Sequence, residues 1–239
     1  MGGHVFTVAG GKGGVGKTTT TINVGVALQA AGHDAIVVDA DLGMTNLDDL
    51  LGIDHEPALH DVLAGEAEVS DAITEGPGGL SVLASDDDLA AFAHADPAGI
   101  APVLRSLARS FDAVVVDTGA GLTHETLVPA GAADGILLVS TPDDVSLVDA
   151  AKMADLSEHV DGAVLGAVVT KARGDTDVSA IAERIDEEVL AVVPEDPEAA
   201  GDEPLVLESP DTYAAQAYRR LAVKLVDAVD ADVEATVES

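Results

Sequence analysis

A short apolar run, residues 5–9, leads into Gly10-Gly11-Lys12-Gly13-Gly14-Val15-Gly16-Lys17-Thr18-Thr19, and a helical pattern follows at once. No other feature of the chain restricts its fold as much. Gly11 and Gly16, followed by Lys17 and Thr18, have the spacing of a phosphate-binding loop, and such a loop works only between a strand and the helix that leaves it. The glycines allow successive backbone N–H groups to curl around one anionic group, and the helix N-terminus adds its positive end. Lys17 is then placed to bridge the β- and γ-phosphates of a nucleotide, and the Thr18 hydroxyl to ligate Mg2+.

The rest of the chain repeats that strand-then-helix unit. Apolar runs rich in Val and Ile occur at 5–9, 35–39, 80–84, 113–117, 135–140, 163–170 and 189–193. Most are continuous rather than alternating, as strands covered on both faces should be. Helical patterns lie between them at 17–31, 97–109, 145–159, 178–187 and 210–229, with Gly32 as the stop of the first. This alternation is the mark of an α/β fold with a mainly parallel sheet. Shorter helical pieces are expected at 46–51 and 59–63, and residues 195–209 read as a loop rich in Pro, Glu and Gly. With no composition break inside 1–229, one domain is expected there, followed by an acidic, flexible tail at 230–239.

Charge and cysteine content remove whole classes of chemistry. The 239 residues include 44 acidic and 11 basic side chains, a formal net charge of -33, and no cysteine. Disulfides, thiolate metal sites and cysteine nucleophiles are therefore excluded. The charge balance repels phosphate backbones and anionic headgroups, which argues against nucleic acid and bilayers as partners. It fits a protein working in multimolar salt, where the screening length shrinks to about 3 Å, and stability is then expected to fall when salt is dialysed away. No run of about 18 apolar residues and no basic leader is present, so a cytoplasmic location is expected. Seven histidines are scattered; His55 and His60 do not share a helical face, and exposed structural roles are expected for them.

Lys12 is a second lysine in a loop that needs only one, so two of the chain's five lysines fall within six residues. The pattern Lys12-Gly13-Gly14-Val15-Gly16-Lys17-Thr18-Thr19 resembles the deviant Walker A loop of the MinD/ParA family of P-loop ATPases, above all its archaeal MinD-like members. Two further segments extend the resemblance. Asp39-Ala40-Asp41-Leu42-Gly43-Met44-Thr45-Asn46-Leu47-Asp48 is similar to the family's switch I, and Val114-Val115-Val116-Asp117-Thr118-Gly119-Ala120-Gly121 looks like Walker B running into switch II. The resemblance implies a three-layer P-loop fold, ATP or ADP with Mg2+ as ligands, and ATP hydrolysis. It gives Lys12 the role of reaching across a homodimer to the partner's nucleotide, and makes Lys12, Lys17 and Asp41 catalytic, with Asp41 orienting the attacking water. Residues 11–19 would cradle the phosphates. Thr18, Asp39, Asp41 and Asp117 would serve the magnesium shell. Lys171 and the segment Pro194-Glu195-Asp196 would flank the nucleoside.

Absent residues narrow the choice within the family. Zero Cys and three Met argue against its iron-sulfur and tail-anchor branches. Arg219, Arg220 and Lys224 form the one basic cluster, on a helix whose Ala214, Ala217, Leu221, Leu225 and Ala228 make an apolar stripe; a docked C-terminal helix is a better reading than a DNA-binding surface. The segment 230–239 has no Lys or Arg, which argues against direct membrane anchoring. The reading is thus a MinD-like ATPase cycling between monomer and ATP-bound homodimer. A regulatory protein would read its state, at a cell pole or membrane through that partner, in positioning a division, chemosensory or motility structure. ParA-like cargo segregation and a dethiobiotin-synthetase-like ligase are the alternatives.

Overall fold

A computed structural model describes residues 2–44, 46–86, 96–121, 123–160, 162–197 and 201–237. Thr45 of the switch I segment, the last two residues of the tail and the Ala228 side chain of the apolar stripe lie outside the described structure. Among the described residues eight strands form one sheet: β1 (His4–Ala9), β2 (Ala35–Asp39), β3 (Thr74–Glu75), β4 (Ser81–Leu83), β5 (Ala113–Asp117), β6 (Gly135–Ser140), β7 (Val164–Ala172) and β8 (Val189–Pro194). Their order across the sheet is β3-β4-β2-β5-β1-β6-β7-β8. All pairings are parallel except that of β3 with β4.

The helices are α1 (Lys17–Ala30), α2 (Leu47–Leu51), α3 (Leu59–Ala64), α4 (Ile100–Leu107), α5 (His124–Ala130), α6 (Asp144–Glu158), α7 (Val178–Ile185), α8 (Leu205–Glu208) and α9 (Tyr213–Val237). They cover both faces of the sheet because its strands are apolar on both. Along β1, Phe6 and Val8 point into a core shared with Ile22 and Leu28 of α1 and Leu221 of α9, whereas Val5 joins Leu104 of α4 on the opposite face. Ile136 and Leu138 of β6 pack with Met153 of α6 and Ile181 of α7, while Leu137 and Val139 face the α1 side. This is the expected three-layer α/β architecture. Each fully buried Leu or Ile contributes about 1.5–3 kcal/mol relative to exposure.

Strands β2, β5 and β6 have the bounds read from the sequence. The differences elsewhere have local causes. Strand β3 is only two residues long and antiparallel, too short for a periodicity to register. Helix α5 contains Pro129, and α8 is a single turn inside the segment read as loop. Helix α9 continues past residue 229 to Val237. The chain runs from β1 to β2, out to the edge strand β3, back through β4 to β5 beside β1, and then crosses to β6, so the connections diverge on either side of β1. Open α/β sheets bind their ligands at such a point, beyond the carboxyl ends of the strands.

Candidate functional site

The loop after β1 sits at that divergence. Gly14 and Gly16 adopt left-handed backbones, φ 76° and 92°, which residues with a Cβ rarely adopt. At Gly11 a Cβ would fall 2.4 Å from the Asp149 side chain, so the loop can lie against α6 only with glycine there. Two residues at the end of β7 tie the loop down. The Thr170 hydroxyl donates to the Val15 carbonyl at 2.6 Å, and Lys171 Nζ donates to the Gly14 carbonyl at 2.7 Å. Lys171 itself has φ 50°, at an irregularity in the β7–β8 register. Lys17 begins α1 and is buried, and no acid shares its first turn to oppose the helix dipole.

Asp39 and Asp117 end adjacent strands and are paired in register across β2 and β5. The Thr18 hydroxyl donates to Asp117 Oδ2 at 2.6 Å, and Thr21, unforeseen from sequence, donates to Asp117 Oδ1 at 3.3 Å. Asp39 Oδ1 accepts the Asp41 N–H at 3.0 Å; Asp39 Oδ2 is buried with no hydrogen-bond partner among the described residues. Burial pushes the Asp117 carboxyl up to about 6, against the pull of Thr18 and Lys17. Burial and then the charge of Asp117 raise Asp39 well above the carboxylate range. Two facing, desolvated carboxylates with an orphaned oxygen form a pocket short of positive charge. One hydroxyl and one or two carboxylates suit Mg2+, which keeps several waters and takes its remaining ligands from phosphate. Among the described residues no group of three His, Cys, Asp or Glu that could hold a metal ion is found.

Asp41 lies on the loop after β2. Its carboxyl is raised by burial, opposed by Lys17 and by the amides of Met44 and Gly43. A Cβ on Gly119 would come within 3.2 Å of Asp41 Oδ1, a tight approach that brings the segments resembling switch I and switch II side by side. Lys12 does not turn into its own loop. Its Nζ pairs with Asp143 at 3.3 Å, on the open face of the site. Asp143 is held in turn by Thr141 and Ser146, whose hydrogen bonds keep its carboxyl well below the usual range.

Beside the loop, a cavity of about 450 Å3 is lined by Gly16, Thr19, Lys171, Pro194, Glu195 and Asp196 together with Glu203 and Tyr218. Sequence reasoning missed Glu203 in its lining and Asn23, which is hydrogen-bonded to Glu203 from α1. Asn23 is fully buried: Nδ2 donates to the Thr19 carbonyl at 2.8 Å and to Glu203 Oε2 at 2.7 Å, and Oδ1 accepts the Val206 N–H at 3.0 Å. A polar residue four positions after Thr19, within an apolar stretch of α1, was the signal for Asn23. Nothing local marked Glu203. The basic cluster on α9 is structural in part: Arg219 donates to the carbonyls of Val206 and Pro210, and Lys224 to that of Leu190. His60 corrects an expectation, since it is buried rather than exposed.

Residues 6–203 match the CobQ/CobB/MinD/ParA nucleotide binding domain. The chain belongs to that family. An ATP-binding protein of Methanocaldococcus jannaschii is 38% identical over 93% of this chain and 88% of its own length. The cell division ATPase MinD of Pyrococcus furiosus superposes with a TM-score of 0.88 at 35% identity, covering 94% of this chain and 99% of that one. MinD of Pyrococcus horikoshii, solved with Mg-ADP, gives 0.87 at 33% identity over 93% and 95%. The MinD/ParA-type chain described here is accordingly a P-loop ATPase. Among its described residues no helix is long and apolar enough to cross a membrane.

Proposed function

We propose that this protein is a MinD-like switch that binds Mg-ATP, dimerises on it and hydrolyses it slowly, and that a protein partner reads the dimer in positioning a cellular structure. The observation that carries the reading is Lys12. A single chain needs one lysine for the phosphates, and Lys17 fills that role from within the loop. Lys12 stands half-exposed on the outer face, paired with Asp143, where a second copy can approach.

In this reading the Gly13 to Thr19 backbone and Lys17 hold the β- and γ-phosphates, and the cavity beside Asn23 and Glu203 takes the nucleoside. Mg2+ held through Thr18 and Asp117, with Asp39 behind them, would neutralise phosphate charge. Asp41 orients a water against the γ-phosphorus. The water oxygen forms the new P–O bond, the bond to the β-phosphate oxygen breaks, and the water proton passes to Asp41 or to a phosphate oxygen. Gly119, beside Asp41, carries the change to the other switch. A metabolic ligase would leave Lys12 without a task, and engagement of Arg219 and Lys224 inside the fold weakens the case for a DNA-binding surface. The deciding experiment is size-exclusion chromatography with light scattering in molar KCl, with ATP or ADP. An ATP-dependent dimer is expected, more persistent in Asp41→Ala and weaker in Lys12→Ala. Monomers under every nucleotide condition would overturn the reading.

A further inference from the structure

Two consecutive carbonyls of the phosphate loop are held from the end of β7. The Gly14 carbonyl accepts from Lys171 Nζ at 2.7 Å, and the Val15 carbonyl accepts from the Thr170 hydroxyl at 2.6 Å. The Gly14–Val15 and Val15–Gly16 peptide bonds are trans. In a trans peptide the C=O and the following N–H point in opposite directions, so drawing these two carbonyls toward β7 turns the Val15 and Gly16 N–H groups away from it. Among the described residues the Gly16 N–H has no acceptor. Thr170 and Lys171 are chain neighbours, and successive residues of a regular strand face opposite ways. Both reach the loop because β7 is irregular here: Lys171 has a left-handed backbone, φ 50°, and the register against β8 shifts between Val169 and Ala172. A left-handed backbone is uncommon for a residue with a Cβ, and such strain persists where the surrounding structure holds it, most often at functional sites. Among the described residues Lys171 also forms no ion pair, so its ammonium is given to the loop carbonyl alone.

We propose that Lys171, seconded by Thr170, is a positioning residue for the phosphate-binding amides: its bond to the Gly14 carbonyl aims the Val15 N–H before nucleotide arrives, and it acts on affinity through the phosphates rather than through the nucleoside. The inference rests on the reading of the Gly13 to Thr19 backbone as the phosphate site. Donors already aimed need no reordering when the anion binds, so the contribution of Lys171 is to affinity.

Lys171→Met removes the ammonium and keeps an apolar stem, whereas Lys171→Arg restores a charged donor. Lys171 is exposed, so ligand-free Lys171→Met should melt where wild type does. In calorimetric titrations with Mg2+ in molar KCl, Kd for ADP should rise about tenfold in Lys171→Met, the effect of one lost charge-assisted hydrogen bond. Lys171→Arg should recover most of that loss, and Thr170→Val should weaken ADP in the same direction. At saturating Mg-ADP, hydrogen exchange at the Val15 and Gly16 amides should be slowed in wild type and slowed less in Lys171→Met. An unchanged Kd in Lys171→Met overturns the proposal. So does a Lys171→Arg protein as weak as Lys171→Met, or a ligand-free Lys171→Met chain that melts well below wild type, since these assign the residue to packing. Weakened binding with full protection of both amides at saturation assigns Lys171 to the nucleoside and overturns it as well. If Lys17→Ala leaves ADP affinity intact, the phosphate-site reading fails and this inference with it. If Lys17→Ala abolishes binding and Lys171→Met does not weaken it, this inference fails alone.

Discussion

Lys12 Nζ lies 3.3 Å from Asp143 Oδ1, and each side chain is 46% exposed. The lysine assigned to a partner's nucleotide is thus engaged within its own chain. Exposed pairs of this kind contribute about 0–1 kcal/mol, small enough to be given up on dimerisation. Asp143 is anchored by Thr141 and Ser146, so Lys12 is the member free to move.

Asp143→Asn should therefore release Lys12 without unfolding anything. The Asp143 side chain caps α6 by accepting the Ser146 N–H at 3.2 Å, and Asn caps about as well as Asp. The melting temperature should hardly change, while the ATP-dependent dimer tightens by up to about fivefold, the equivalent of the lost pair. Light scattering across a concentration series measures this; a weakened dimer would contradict it.

The carboxylates at the strand ends predict a pH dependence. Burial raises both Asp39 and Asp117, the latter to about 6 from 3.8. An acid with a raised folded-state pKa contributes stability that is whole below its unfolded value and is lost as pH climbs through the folded one. Ligand-free protein should lose roughly 3 kcal/mol from Asp117 between pH 4 and 7. Repulsion among the other acids has the same sign, so the test is a comparison. Asp39→Asn, which removes the facing charge, should flatten the profile, and Mg2+ with nucleotide should flatten that of wild type. Circular dichroism is the suitable probe because the chain has no tryptophan.

Asn23→Ala should damage both fold and binding. The substitution strands the Val206 N–H and removes a donor from Glu203, whose pKa burial already raises. A loss of about 2–4 kcal/mol is expected in melting experiments. Calorimetric titration should show weaker nucleotide binding, since the loop lining the cavity is no longer tied to α1.

Arg219→Ala tests the basic cluster on α9. Its two bonds to backbone carbonyls predict destabilisation by about 1–2 kcal/mol. At working salt no change in DNA affinity is expected. A substantial loss of DNA binding would instead favour cargo partitioning.

Much of this protein was legible in its residues because the information is local. A βα unit and a phosphate loop need only short-range patterns, so Gly11 to Thr19, the central strands and the α/β class could be read directly. Asp39, Asp41 and Asp117 were legible because strand ends in such a sheet face the loop. What tertiary structure alone decided are the partners brought from far along the chain: Asp143 for Lys12, Glu203 and Val206 for Asn23, Thr170 and Lys171 for the loop carbonyls. His60 shows the reason most clearly. A histidine beside a short helix has the same local pattern exposed or buried, and only the packing of α3 against the ends of β2 and β4 takes its ring out of water, with one nitrogen left without a partner among the described residues.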